Sequence, residues 1–96
     1  MVKAPIGIKV TKLPTRRRRV VVQSTAYYYA AGVFYQPQGN GYVVVAAPMD
    51  AIVQDLPTAA EQVRIDGSLY YEYANVIYRK VQTGNGVAYE VVSELS

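Results

Sequence analysis

Polar and apolar positions in this chain alternate over short stretches and nowhere sustain a helical period. Residues 18–23, 26–30 and 33–36 each read as a strand, with β-branched and aromatic side chains stepping between two faces and turn-forming pairs between the runs. Residues 8–13 precede them and end at Leu13-Pro14, where a proline without an N–H stops a ladder. Residues 42–46 close the series, and a second series then begins: 51–56 ending at Leu56-Pro57, then 62–66, 69–73, 76–80 and 89–92. One helical turn at most fits, over residues 58–63.

The two series are copies at an offset of 43 residues. Ala4-Pro5 answers Ala47-Pro48, Val10 answers Val53, and Leu13-Pro14-Thr15 answers Leu56-Pro57-Thr58. Residues 4–38 and 47–81 share 12 identities in 35 positions, and Gly39-Asn40-Gly41 then answers Gly84-Asn85-Gly86, with four extra residues before Tyr89 in the second copy. Such agreement is the mark of duplication. The expected fold is all-β, one domain over 1–96 with repeats 4–46 and 47–93. In it two tandem sets of short antiparallel strands form a pseudo-twofold small barrel or sandwich, because few short strands cannot bury both faces alone. The apolar run 42–48 belongs at its centre, since at an edge it invites aggregation.

Charges in the second copy orient its strands. Ala74-Asn75, aligned with Ala31-Gly32, predicts a two-residue loop with positive φ, pairing Tyr73 with Val76 and Tyr71 with Tyr78. Leu69, Tyr71, Tyr73, Val76 and Tyr78 then share the inner face. Tyr70, Glu72, Ile77 and Arg79 share the outer one, where Tyr70 is placed to stack on Arg79. Bringing Val63 and Ile65 to the inner face as well requires a bulge at Gly67-Ser68.

Composition narrows the chemistry. The 96 residues include ten tyrosines, no cysteine and no histidine, which removes disulfides, thiolate chemistry, the commonest metal ligand and the commonest general base. The seven carboxylates all follow residue 47 without pair-like spacing, and no serine has a visible base, so no catalytic, metal or cofactor site is expected. The net charge of +3 divides unevenly: residues 1–46 carry +7 and the remainder −4, a dipole that favours self-association, head to tail or as a dimer. No apolar run approaches the length of a membrane helix, and the first residues lack the apolar core of a signal peptide. Either the protein is cytosolic or its leader has been removed.

The tyrosines and the flanking Gly-Tyr-Val-Val-Val-Ala-Ala-Pro carry a resemblance. The matching residues are Val63, Ile65, Gly67, Tyr70 and Tyr71, with Gly32, Val33, Phe34, Tyr35, Gly41, Tyr42, Val44, Val45, Pro48, Val53, Leu56 and Pro57. Ser24, Ala47 and Asp50 depart from the pattern, which has glycine, proline and glycine at these places. The chain resembles a bacterial family of unknown function built from tandem tyrosine-rich β repeats, whose members are small exported or envelope-associated proteins. That resemblance implies export and a non-enzymatic role.

Two features are candidates for binding. Arg16, Arg17, Arg18 and Arg19 form a basic run suited to phosphate or anionic surfaces. Its plain reading is a solvated loop entering a strand, and Ala59-Ala60-Glu61-Gln62 at the same place shows that the fold does not need these cations. Among the tyrosines, Tyr28, Tyr35, Tyr71 and Tyr78 read as core, whereas Tyr27, Tyr29 and Tyr70, with Arg79, read as surface. The leading expectation is a non-enzymatic module of the periplasmic or extracellular envelope that binds a protein partner or a cell-wall glycan. The alternative is a nucleic-acid or anionic-surface binder centred on the four arginines and the exposed tyrosines.

Overall fold

A computed structural model describes residues 6–94, and among them every regular element is a strand. The chain divides into two units, Met1–Ala47 and Pro48–Ser96. The first holds β1 (Lys9–Val10), β2 (Arg18–Val22), β3 (Thr25–Ala30), β4 (Val33–Gln38) and β5 (Gly41–Val45), in the sheet order β1-β5-β4-β3-β2. The second holds β6 (Ile52–Val53), β7 (Glu61–Ile65), β8 (Ser68–Tyr73), β9 (Val76–Thr83) and β10 (Gly86–Glu94), in the order β6-β10-β9-β8-β7. Every neighbouring pair is antiparallel. The all-β expectation holds, and each copy builds one open five-stranded sheet with the same topology. The repeat at Ala4-Pro5 lies outside the described residues.

The turns explain why the copies fold alike. Ala31-Gly32 has φ of 50° and 87°, and Ala74-Asn75 has 53° and 67°. Two residues with positive φ make the primed turn whose twist matches a right-twisted hairpin, so Ala30 pairs with Val33 and Tyr73 with Val76, as expected. The Asn75 N–H also donates to Glu72 Oε2 at 2.9 Å. Gln23-Ser24 repeats the geometry at 48° and 69°, and Asp66-Gly67 at 51° and 84°.

That last turn removes the expected bulge. Ile65 pairs directly with Ser68, so Val63 and Ile65 lie on the face of Tyr70 and Glu72, opposite Leu69, Tyr71 and Tyr73. The bulge argument assumed that both Ile65 and Leu69 are buried. They sit at a hairpin tip, 44% and 40% exposed, and burial makes no demand on the register there.

The strands expected over 8–13 and 51–56 shrink to two residues each. The ladder starts earlier instead: Gly7 N–H donates to Val44 O and Asp50 N–H to Val91 O, with φ of 95° at Gly7 and 70° at Asp50. After Val10 the chain leaves the sheet, and Leu13 folds back onto a cluster of Ala30, Tyr35 and Val44, joined by Val10, Tyr28, Val33 and Tyr42. β5 lies between β1 and β4, so residues 42–45 of the apolar run are internal to the first sheet, and residues 46–48 follow the strand. In the second unit Val53, Val76, Tyr78 and Val91 are buried on the corresponding face.

The four extra residues form two extra rungs. Tyr35 pairs with Val44 as Tyr78 pairs with Val91, and three rungs further Gln38–Gly41 corresponds to Val81–Ala88. The first hairpin turns there, at Gly39-Asn40. The second continues through Gln82–Val87 and Thr83–Gly86 before Gly84-Asn85. Thr83 Oγ1 accepts the Asn85 N–H at 3.2 Å and donates to Gly86 O at 2.8 Å, securing the longer tip.

Candidate binding surface

The four arginines are contiguous in sequence but divided in space. Arg16 and Arg17 lie in the turn before β2, where Arg17 N–H donates to Pro14 O at 3.3 Å. Arg18 and Arg19 begin β2, the edge strand of the first sheet. The pleat sends them to opposite faces: Arg18 pairs with Tyr29, Arg19 with Tyr28. All four are exposed, yet they do not form one patch.

The tyrosines depart from the sequence expectation most sharply at Tyr29, and Tyr28 and Tyr71, expected as core, are only half-buried. Tyr29 is 2% exposed, its ring 5.0 Å from that of Phe34, which faces it across the β3–β4 ladder. It belongs to the core and not to the surface. Tyr27 and Tyr70 are half-buried, while Tyr35 and Tyr78 are buried as expected. Tyr28 and Tyr71 are half-buried and make the same edge-to-face contact in both units, Tyr28 with Tyr42 at 5.9 Å and Tyr71 with Tyr89 at 5.4 Å. The Arg79 guanidinium goes to Glu90 Oε1 at 2.5 Å, its cross-strand partner.

One ring of this pair, Tyr42 or Tyr89, walls a cleft in each unit. In the first, Thr11, Lys12, Leu13, Thr15, Arg17 and Tyr42 line a volume of about 360 Å³ between the β1–β2 connection and β5. In the second, Asp55, Leu56, Ala60 and Tyr89 occupy the equivalent positions around about 380 Å³, with Tyr71 and Val87. Leu13 and Tyr42 pack against the first unit's core, so the cleft stands on fixed elements. Lys12 and Tyr42 were not singled out from the sequence. The available signal was the charge difference at the 43-residue offset, a reversal at Lys12 against Asp55 and a loss at Arg17 against Ala60.

Among the described residues no group of three or more His, Cys, Asp or Glu gathers for a metal ion, and no helix is long and apolar enough to cross a membrane. Fold and cleft together define an all-β protein with one open five-stranded antiparallel sheet in each of its two units. The chain belongs to a family of unknown function, DUF6515, whose model matches residues 1–94. Neither the curated proteins nor the solved structures contain a significant match to it.

Proposed function

We propose that the protein is a non-enzymatic binding module of the bacterial cell envelope, engaging a protein partner or a cell-wall glycan. The observation that carries this reading is the first unit's cleft, where Lys12 and Arg17 flank an aromatic wall fixed by Tyr28 and the core. A fixed aromatic surface with a few convergent polar groups suits recognition. The chemistry of the chain points the same way. It has no histidine or cysteine, Glu90 is engaged by Arg79, and Asp50 and Asp66 serve turns with positive φ. Export is part of this reading and rests on the tyrosine-rich repeat pattern.

The division of Arg18 and Arg19 between two faces weighs against a single arginine patch for nucleic acid or anionic lipid. Pelleting the purified protein with isolated cell-wall material, duplex DNA and anionic vesicles across a salt series separates the two. Retention on wall material with a shallow salt slope is expected, because a cleft that neutralises one or two charges releases few counterions. Steep salt-dependent binding to DNA or vesicles, with none to wall material, would replace this reading with the arginine-centred one.

A further inference from the structure

The clefts beside Tyr42 extend the binding-module reading, on which this inference rests, to a class of ligand. We propose that the first unit binds an acidic sugar, a pyranose ring bearing a carboxylate, between Tyr42 and the cationic pair Lys12 and Arg17. Tyr42 is the common wall of the 360 Å³ cleft and of a neighbouring one of about 380 Å³, which Lys9, Gln38 and Asn40 also line. Its ring is held by the edge contact with Tyr28 and by packing against the cluster of Ala30, Tyr35 and Val44. A fixed tyrosine offers an apolar face to the C–H face of a sugar ring and a polar tip to its hydroxyls. Thr11, Thr15, Gln38 and Asn40 around the ring add donors and acceptors for hydroxyl groups. Arg17 supplies the planar fork that matches a carboxylate, and Lys12 a second cation.

The second unit is an internal control. It forms the equivalent cleft with Leu56 and Tyr89 conserved in kind, but with Asp55 in place of Lys12 and Ala60 in place of Arg17. The cations are therefore not required to build the cleft. Neither cation is present in the second cleft, so the acidic sugar is confined to the first unit.

The test is an amide NMR titration of the full chain with trigalacturonate, with maltotriose and inorganic phosphate as separate arms. Trigalacturonate is expected to shift the amides of residues 11–17 and 38–42 and to leave those of 54–60 and 87–89 in place. In the variant Lys12→Asp/Arg17→Ala, which carries the residues that the second unit already accommodates, the apparent affinity is expected to fall about tenfold or more, a loss of about 1.4 kcal/mol. The dispersed spectrum of that variant reports its folding, and Tyr42→Leu provides a second probe that removes the wall while keeping the cations. Three results would overturn the proposal: equal shifts with phosphate alone, equal affinity in Lys12→Asp/Arg17→Ala, or shifts in the second unit instead of the first. Retention on wall material without trigalacturonate shifts overturns this inference and leaves the binding-module reading standing. Trigalacturonate shifts without retention sustain the ligand class and overturn the assignment of that ligand to wall material.

Discussion

Gly41→Ala is expected to destabilise the first unit by about 2–3 kcal/mol, the cost of forcing an atom into a packed site. A Cβ at Gly41 falls 2.5 Å from the Val10 carbonyl oxygen and 3.5 Å from Thr11 Cα. Both are backbone atoms, so no side chain can rotate aside, and β1 must move off β5. The pairs Lys9–Val43 and Val10–Tyr42 then loosen, with the hydrogen bonds from Gly7 N–H to Val44 O and from Val44 N–H to Ile8 O. Denaturant unfolding measures the loss, and amide exchange locates it at Gly7 and Val44. The second unit has Ala88 at the equivalent rung, where the hairpin continues regularly for two more rungs and does not turn at once. A Gly41→Ala protein within 0.5 kcal/mol of the original, on the scale of an ordinary surface change, contradicts this account of the β1–β5 approach.

Tyr78→Phe is expected to do the opposite and raise stability by about 1 kcal/mol. Tyr78 is fully buried, and its hydroxyl has no hydrogen-bond partner among the described residues. Phenylalanine keeps the ring and removes the unsatisfied group. The same site makes stability depend on alkaline pH. Burial first, then the charges of Glu94 and Tyr73, push the Tyr78 hydroxyl well above the ordinary tyrosine value. The unfolded chain therefore gives up this proton near pH 10, while the folded chain still holds it. The Tyr78 contribution is fully present below pH 10 and is lost as pH rises beyond it. Tyr78→Phe should flatten that part of the decline. Denaturant midpoints at pH 7 and across pH 9–11 measure both effects, and a destabilised variant at neutral pH shows that the hydroxyl has a partner after all.

Local chemistry made part of this fold legible. Gly32 and Asn75 at one aligned site demanded positive φ, and that demand fixed the Tyr73–Val76 and Tyr71–Tyr78 pairs. The 43-residue sequence offset anticipated two sheets of the same strand order. What stayed hidden depended on where burial stops. Ile65 and Leu69 look like core residues in sequence, but they lie at a hairpin tip beyond the covered area, so the bulge had no task. Tyr29 reads as a surface residue in sequence, yet its cross-strand neighbour is the buried Phe34. The shortness of β1 was equally hidden, since Leu13 continues the apolar pattern while leaving the sheet to cap it.

The cleft was half legible. The arginine run was plain, but which of its members joins an aromatic wall depends on a contact between residues 11–17 and β5, distant in sequence. Of the four, Arg17 lines the cleft with Tyr42, while Arg18 and Arg19 divide across the β2 pleat. The shared framework gives the shape, and the unshared charges give the two clefts opposite chemistry.

The most direct test of that claim exchanges the unshared residues between the units. Lys12→Asp and Arg17→Ala combined with Asp55→Lys and Ala60→Arg leave the net charge at +3, so any change in binding reports position and not total charge. In an amide NMR titration with trigalacturonate, the account predicts that the perturbations around Tyr42 disappear and reappear around Tyr89. Perturbations that remain around Tyr42 after the exchange contradict it.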